Sequence, residues 1–469
     1  MVLSCASVPP PLPYGPVPSA RQLAWHELEI CAFIHFGMNT FTDREWGEGK
    51  EDPALFNPTA LDCRQWARVC KQAGMKGIIL TAKHHDGFCL WPSRYTEHSV
   101  KNSPWRGGKG DVVRELAKAC QEHGLRLVIY LSPWDRHEPS YGDSPRYNQH
   151  YQNQLRELLT AYGDVFEVWF DGACGEGADG RRQVYDWPAF FQVVRECQPQ
   201  AVIFSDGGPD VRWVGNEKGF ANPTNWCLLR RDEVWPGYPR YEELTSGHAD
   251  GTHWVPAEAD VSIRPGWFYH PAEDSLVKSV NELMEIYYAS VGRNAGLLLN
   301  VPVDRRGLIP EPDAARLLEF RRALEEEFPR NLAAGAQASA SNVRGNSRRF
   351  SASRAVDGNT RTYWATDDSV TSAWLALNLG TAKELNRIVL QEYIALGQRV
   401  EQFVVEIEEG GLWKPIAQGT TIGYKRILRF PTVRTRRLRL HILKARACPT
   451  IANVALYRAP DRQPTTKAP

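Results

Sequence analysis

The chain has 469 residues, 42% of them hydrophobic, with 56 basic residues against 55 acidic ones, enough to bury a large core in about two domains. A net charge of +1 excludes a general electrostatic pull toward nucleic acid or an anionic membrane surface and points to a neutral partner. No run of 18 apolar residues occurs, which excludes a membrane-spanning helix.

A proline-rich lead-in covers residues 1–19. It has neither the basic start nor the apolar stretch of a signal peptide. Its VLSCAS has some of the form of a lipoprotein cleavage site, so the compartment stays open. From 20 to 328 short apolar runs alternate with amphipathic stretches. CAFIHFG (31–37) is read as the first strand. ALDCRQWARVCKQAG is a helix with Leu61, Trp66, Val69 and Cys70 on one face and Gly74 as its stop. GIILTAK (77–83) is the second strand, followed by a helix that Asp111 opens and Gly124 closes. RLVIYLS (126–132), a helix over 145–162, FEVWFDG (166–172), a helix over 186–197 and AVIFSD (201–206) continue the rhythm. VRWVG (211–215), HWVPAEAD (253–260), a helix over 273–291, GLLLNVP (296–302) and a helix over 311–327 complete it. Several strands are unbroken apolar runs, as expected of parallel strands covered on both faces. Eight of them in β-α alternation over roughly 300 residues predict an α/β fold, a (β/α)8-like barrel.

Past Pro329 the pattern changes to short alternating strands: AWLALNLG, LNRIVLQEY, VEQFVVEIEE, LWKPIAQG, YKRILRFP, RRLRLHILK and IANVALYRA. These predict an all-β antiparallel sandwich over 329–458, with a polar tail over 459–469. Ten scattered cysteines without CxxC pairs fit reduced core thiols better than a zinc site or a disulfide framework.

A β/α barrel carries its chemistry where the strands end, so the polar residues closing each apolar run are the candidates. They are His35; His84, His85 and Asp86; Tyr130 and Trp134; Asp171; Glu217 in VGNEKG; and Glu258 and Asp260. Imidazoles, carboxylates and aromatic rings without a phosphate-cradling glycine loop suit a neutral, polyhydroxylated ligand. Metal ligation by His84 and His85 is disfavoured, since neighbours along a strand point to opposite faces and no His-x-His accompanies them. Two carboxylates in such a setting suggest glycoside hydrolysis. Asp171 ends a firm strand, as a nucleophile should. Glu217 sits in a glycine-flanked loop that suits an acid/base group, with Glu258 its rival.

The motifs FIHFGMNTFTDREWG, AKHHDGFCLWPS, VWFDG, GNEKG and PAEADVSIRPGWFY, in this order over residues 20–328, resemble the retaining α-L-fucosidases of glycoside hydrolase family 29. Spacing and the GNEKG loop are most similar to the subfamily selective for α-1,3- and α-1,4-linked fucose on branched, Lewis-type glycans. The resemblance implies an exo-acting enzyme without a catalytic cofactor. Asp171 would be the nucleophile and Glu217 the acid/base; His35, Trp46, His84, His85, Tyr130, Glu258, Arg264 and Trp267 would bind substrate. Phe33 and Trp267 are candidates by residue type for a niche around the fucose methyl. The implied partner is a fucosylated oligosaccharide or glycoconjugate, not nucleic acid, and family members are often secreted or periplasmic. A fucosidase of broader linkage range and a non-catalytic glycan-binding barrel are the alternative readings. ASASNVRGNSRRFSASRAVDGNTRTYWATDD followed by WLALNLG resembles the start of a discoidin-type (F5/8 type C) domain, similar to carbohydrate-binding modules of family 32. That resemblance implies a structural calcium with Asp357 and Thr362 as side-chain ligands.

Overall fold

The computed structural model describes residues 8–460. Cys5, the VLSCAS segment and the polar tail from 461 lie outside the described residues. Eight parallel strands close on themselves: β1 (Ile30–Ile34), β2 (Gly77–Lys83), β3 (Arg126–Leu131), β4 (Glu167–Trp169), β5 (Val202–Ser205), β6 (Val211–Trp213), β7 (Ala257–Ser262) and β8 (Ala295–Asn300). Each pairs with its neighbour in sequence, and β8 pairs with β1 to complete the barrel. The helices outside obey the local signals. Asp62 and Asp111 accept backbone N–H bonds from Arg64 and Arg114 and so open their helices, and Gly124, at φ 62°, closes the second.

Three departures from the sequence reading have local causes. The seventh strand begins at Ala257, because Pro256 has no N–H to give a ladder; His253–Trp254 instead form a short ribbon with Leu228–Leu229. The helix expected over 273–291 runs only from Val280 to Ala289. Ser279 and Glu282 form a reciprocal capping box there, after a separate 3-10 turn at Pro271–Leu276. Four of the short strands expected after the barrel are two long ones.

Those long strands organise the second domain. Its strands are β9 (Gln337–Ala340), β10 (Trp364–Ala365), β11 (Ala373–Glu392), β12 (Val400–Glu409), β13 (Leu412–Gly419), β14 (Arg426–Ala445) and β15 (Thr450–Tyr457). They make one antiparallel sheet in the order β10-β15-β11-β14-β12-β13, with β9 on β11. The β11/β14 register shifts between Asn378 and Lys383, so the chain bends where the sequence reads as a break. Leu375, Leu377, Phe403, Val405, Leu438 and Leu440 point inward from the alternating pattern and form the core.

The two domains share an interface in which apolar packing runs through. Val389, Ile427 and Ala455 of the sheet belong to the same buried cluster as the barrel helices. The proline-rich lead-in also crosses to the second domain. Its residues can offer carbonyls where proline lacks an N–H, and Arg344 and Arg399 donate to the Pro9 and Leu12 oxygens. At the centre of the interface Arg387 Nε donates to Glu327 Oε1 (2.6 Å) and to the Tyr288 hydroxyl (2.8 Å), all three largely buried. Removing one partner of a buried pair leaves the other charge without compensation. Arg387→Met should therefore destabilise the protein by about 3–5 kcal/mol in urea unfolding, and adding Glu327→Leu should recover part of that loss.

Candidate active site

The strand ends converge on a cavity of ≈ 170 Å³ lined by Phe33, His35, Glu45, Trp46, His84, His85, Tyr130, Trp169, Asp171, Ala173, Glu217, Asp260 and Trp267. This is small beside the ~300–1,000 Å³ of sites for drug-sized ligands and has room for about one sugar ring. Phe33 forms the apolar side, with ring centroids 5.3 Å from Trp169 and 6.1 Å from Trp267.

Asp171 stands two residues past the last residue of β4. Its Oδ2 accepts from the Tyr130 hydroxyl (3.0 Å) and its Oδ1 from the Ala173 N–H (2.8 Å), so both oxygens are oriented by the protein. Burial, then the Asp171 charge, pushes the Tyr130 phenol well above its usual range, so it stays a proton donor. The residue after Asp171 must be glycine: a Cβ on Gly172 would lie 2.3 Å from Asp206 Oδ2. Asp206 in turn accepts from the Gly237 N–H at 2.6 Å, which holds the 230–241 loop beside the nucleophile candidate. Burial pushes the Asp206 carboxyl up to about 7.

The three histidines have tautomers fixed by their neighbours. Asn300 Nδ2 donates to the Trp267 carbonyl, so its Oδ1 must accept from His35 Nδ1 at 2.7 Å; His35 Nε2 keeps a lone pair for a ligand. Asn39 Nδ2 donates to the Glu45 carbonyl and to His84 Nδ1 (3.3 Å), which leaves His84 Nε2–H as a donor. The Ser132 hydroxyl donates to the Trp134 carbonyl, so it accepts from His85 Nδ1 at 2.7 Å. His85 Nε2 then lies 3.8 Å from Asp171 Oδ2, beyond a hydrogen bond. Burial depresses all three imidazoles, His35 to about 3. The cavity thus offers neutral donors and acceptors at set positions, which is what recognition of vicinal hydroxyls requires. His84 and His85 both reach it because β2 ends at Lys83; strand alternation, used above to separate them, no longer applies.

Glu217 lies between Gly215 and Gly219 in the loop after β6. Burial raises its carboxyl above the ordinary range; the Trp267 indole hydrogen bond opposes this, while the Asp171 and Glu45 charges add to it. Two expected substrate ligands do not line the cavity. Glu258 points into the barrel two residues, or about 6.6 Å, below Asp260 on β7. Its Oε1 accepts from Trp169 Nε1 at 2.8 Å, and burial pushes it to about 7. Asp260 holds the rim position instead, with Oδ1 accepting from Trp213 Nε1 at 2.7 Å. Arg264 is fully buried away from the cavity, where its Nε donates to Asp313 Oδ1 (2.9 Å) and Nη1 pairs with Asp274 (2.9 Å). It anchors the chain after β7 to the last barrel helix.

Sequence reasoning missed three cavity residues, Trp169, Ala173 and Glu45, of which Glu45 is the ionisable one. One of its oxygens accepts from the Trp267 N–H (2.9 Å), the other from the Phe268 N–H (3.0 Å) and from His270 Nε2 (2.7 Å). His270 Nδ1 donates to Asp43 at 2.8 Å. The chain Asp43, His270, Glu45 therefore clasps the Trp46 loop to the Trp267 loop.

A family model described as alpha-L-fucosidase matches residues 20–326, and one described as F5/8 type C domain matches residues 337–455. An Oryza sativa subsp. japonica relative is 50% identical over 456 residues, covering 97% of this chain and 87% of its own. Alpha-L-fucosidase 1 of Arabidopsis thaliana is 46% identical over 455 residues, 96% of this chain and 89% of its own. A Ruminococcus gnavus GH29 fucosidase solved in complex with fucose superposes with a TM-score of 0.89 at 33% identity, over 97% of this chain and 98% of that one. Barrel, rim carboxylates and one-ring cavity define a glycoside hydrolase. The chain belongs to the alpha-L-fucosidase family, glycoside hydrolase family 29, with an F5/8 type C domain behind the barrel, and its activity is that of an α-L-fucosidase.

The Glu45 clasp makes a prediction. Burial works against the His270 charge, but hydrogen bonds to Asp43 and Glu45 and the Glu45 and Glu273 charges prevail and raise its pKa. The clasp is then charged below the usual histidine range and weakens as pH rises through the raised value. His270→Gln should increase KM for an aryl fucoside about tenfold, the worth of a hydrogen bond to a charged group, with kcat nearly unchanged. The wild-type rise of KM with pH should disappear in the variant.

Proposed function

We propose that this α-L-fucosidase acts with retention, through a covalent fucosyl-enzyme on Asp171, with Glu217 as the acid/base. Among the four carboxylates that line one cavity of single-ring size, Asp171 and Glu217 stand in contrasting settings, and this contrast carries the reading. Asp171 is aimed by two donors and seated on a strand end; Glu217 is raised by burial on a glycine-flanked loop. In the first step an Asp171 oxygen bonds to the anomeric carbon as the glycosidic C–O bond breaks, and Glu217 gives its proton to the departing oxygen. In the second step water adds to the anomeric carbon, its proton returns to Glu217, and Asp171 is released. Tyr130 and the three neutral histidines hold the ring hydroxyls, Trp46 and Trp267 close its sides, and Phe33 and Trp267 accept the methyl.

The same reading assigns the enzyme to α-1,3- and α-1,4-linked fucose on branched glycans. Supporting it, the loop around Trp235 and Tyr238 is tied through Gly237 and Asp206 to the glycine following Asp171. Trp235 is 54% exposed and meets Tyr238 edge-on at 5.3 Å, a surface on which an aglycone sugar can rest.

We also propose a structural calcium in the second domain. The Arg354 and Asn359 carbonyls and an Asp357 oxygen lie 3.4, 2.9 and 2.7 Å from Thr362 Oγ1. One carboxylate, one hydroxyl and two carbonyls fit a hard, oxygen-seeking cation, with water completing the shell. Among the described residues no cluster of three His, Cys, Asp or Glu competes as a metal site.

Asp171→Gly should abolish turnover of an aryl fucoside and regain part of it with azide; undiminished hydrolysis by this variant would contradict the assignment. Glu217→Gln should lower kcat/KM on natural glycosides by ~10²–10⁴ and remove the activity loss seen as pH rises through the raised Glu217 pKa. A Lewis-type trisaccharide should be cleaved faster than a 2'-fucosyl trisaccharide or an aryl fucoside. Preference for the last would refute the linkage assignment while leaving the activity intact. Calcium should raise the melting temperature of the wild type and not of Asp357→Asn; an equal shift in both would place the ion elsewhere.

A further inference from the structure

The near-zero net charge hides a strong separation. Through residue 336 the chain carries 35 Lys and Arg against 45 Asp and Glu, a net −10; from 337 onward it carries 21 against 10, a net +11. Part of this asymmetry joins the domains. Arg387, Lys425 and Arg429 of the second domain pair with Glu327, Glu29 and Glu285 of the barrel, each with its cation on the same side. Arg437 and Arg439 are balanced locally by Glu408 and Glu406. The loops between β9 and β10 are different. Arg348, Arg349 and Arg361 are exposed there, and among the described residues no carboxylate lies within ion-pair distance of any of them. Arg354 joins them, its Nε donating to the Arg348 carbonyl at 3.4 Å, with only Asp357 beside it at 3.5 Å.

We propose that this arginine cluster is a docking surface for an anionic polysaccharide, carboxylated or sulfated. Guanidinium forks match carboxylate and sulfate oxygens in pairs, and clustered cations repel one another until an anion arrives. A single-stranded nucleic acid would need exposed rings for stacking, but Phe350 and Tyr363 in these loops are buried. Stable anchoring to a membrane takes an apolar element beside the cations, and no large hydrophobic residue between 344 and 363 is exposed. The charge separation also orients the bound enzyme. The barrel, with its net −10 through residue 336, repels the polymer that the second domain holds, so the active site stays free for fucosylated chains nearby.

The test uses the full chain on immobilised polygalacturonate, on immobilised heparin and on a neutral dextran. Retention on at least one polyanion is expected at ~0.01–0.05 M salt, with loss by ~0.5 M as the charges are screened; which of the two retains it more names the anion. Arg348→Glu/Arg349→Glu/Arg361→Glu should weaken retention roughly 100-fold at low salt while leaving aryl fucoside hydrolysis unchanged. The barrel-surface variant Arg68→Glu/Lys76→Glu/Lys118→Glu, with the same change in net charge, should stay within about threefold of the wild type. The proposal is overturned by absence of retention on both polyanions, by equal retention on dextran, by an equal loss in the barrel variant, or by tighter binding to single-stranded DNA.

Discussion

Inward-pointing side chains from eight closed strands compete for one narrow lumen, and here aromatic packing fills it to just below the rim. Trp169 and Phe204 stack at 4.0 Å, and Phe33 and Tyr130 close over them. With the interior occupied, the polar groups that can meet a ligand are the ones at or beyond the last inward layer of each strand. This decides between Asp260, which meets the cavity, and Glu258, one layer lower, which braces Trp169. It also explains why a chain with so many acidic residues in the barrel brings just four of them to the cavity.

Burial then sets the chemistry of those rim groups. Desolvation disfavours charge, so the histidines are neutral and the Glu217 carboxyl holds its proton more tightly. Neutral imidazoles need fixed tautomers to be selective, and Asn300, Asn39 and Ser132 fix them from behind. These three polar residues do not line the cavity, yet the hydrogen-bonding pattern offered to a sugar depends on them. The Glu45 clasp plays the corresponding part for the aromatic walls, tying together the loops that follow β1 and β7, the two strands that flank β8 in the barrel.

Most of the barrel was legible in the sequence, because parallel strands covered on both faces leave unbroken apolar runs and the helices between them carry clear caps. Asp171, His35 and His84 were legible for the same reason: a polar residue at the end of an apolar run marks the rim. Applied evenly, that rule also reaches Asn300 at the end of GLLLN and Ser132 at the end of RLVIYLS. Glu45 was hidden because it sits among Asp43, Arg44 and Glu48, a charge run that reads as a solvated loop; its one distinguishing sign is the adjacent Trp46. Arg264 misled because a motif places a residue in sequence but not the direction of its side chain. The two long strands of the second domain were read as four because a bend and a break look alike when Gly380 or Pro431 interrupts the alternation.

The proposed double displacement depends on Asp171 forming the bond to the sugar, and a trapped intermediate tests that most directly. The protein would be incubated with a fluorinated fucosyl donor that is slow to hydrolyse, digested, and its labelled peptide sequenced by mass spectrometry. One fucosyl adduct per chain on the Asp171 side chain is the predicted result. An adduct on Asp260 or Glu217, or inversion of anomeric configuration with no adduct at all, would contradict it.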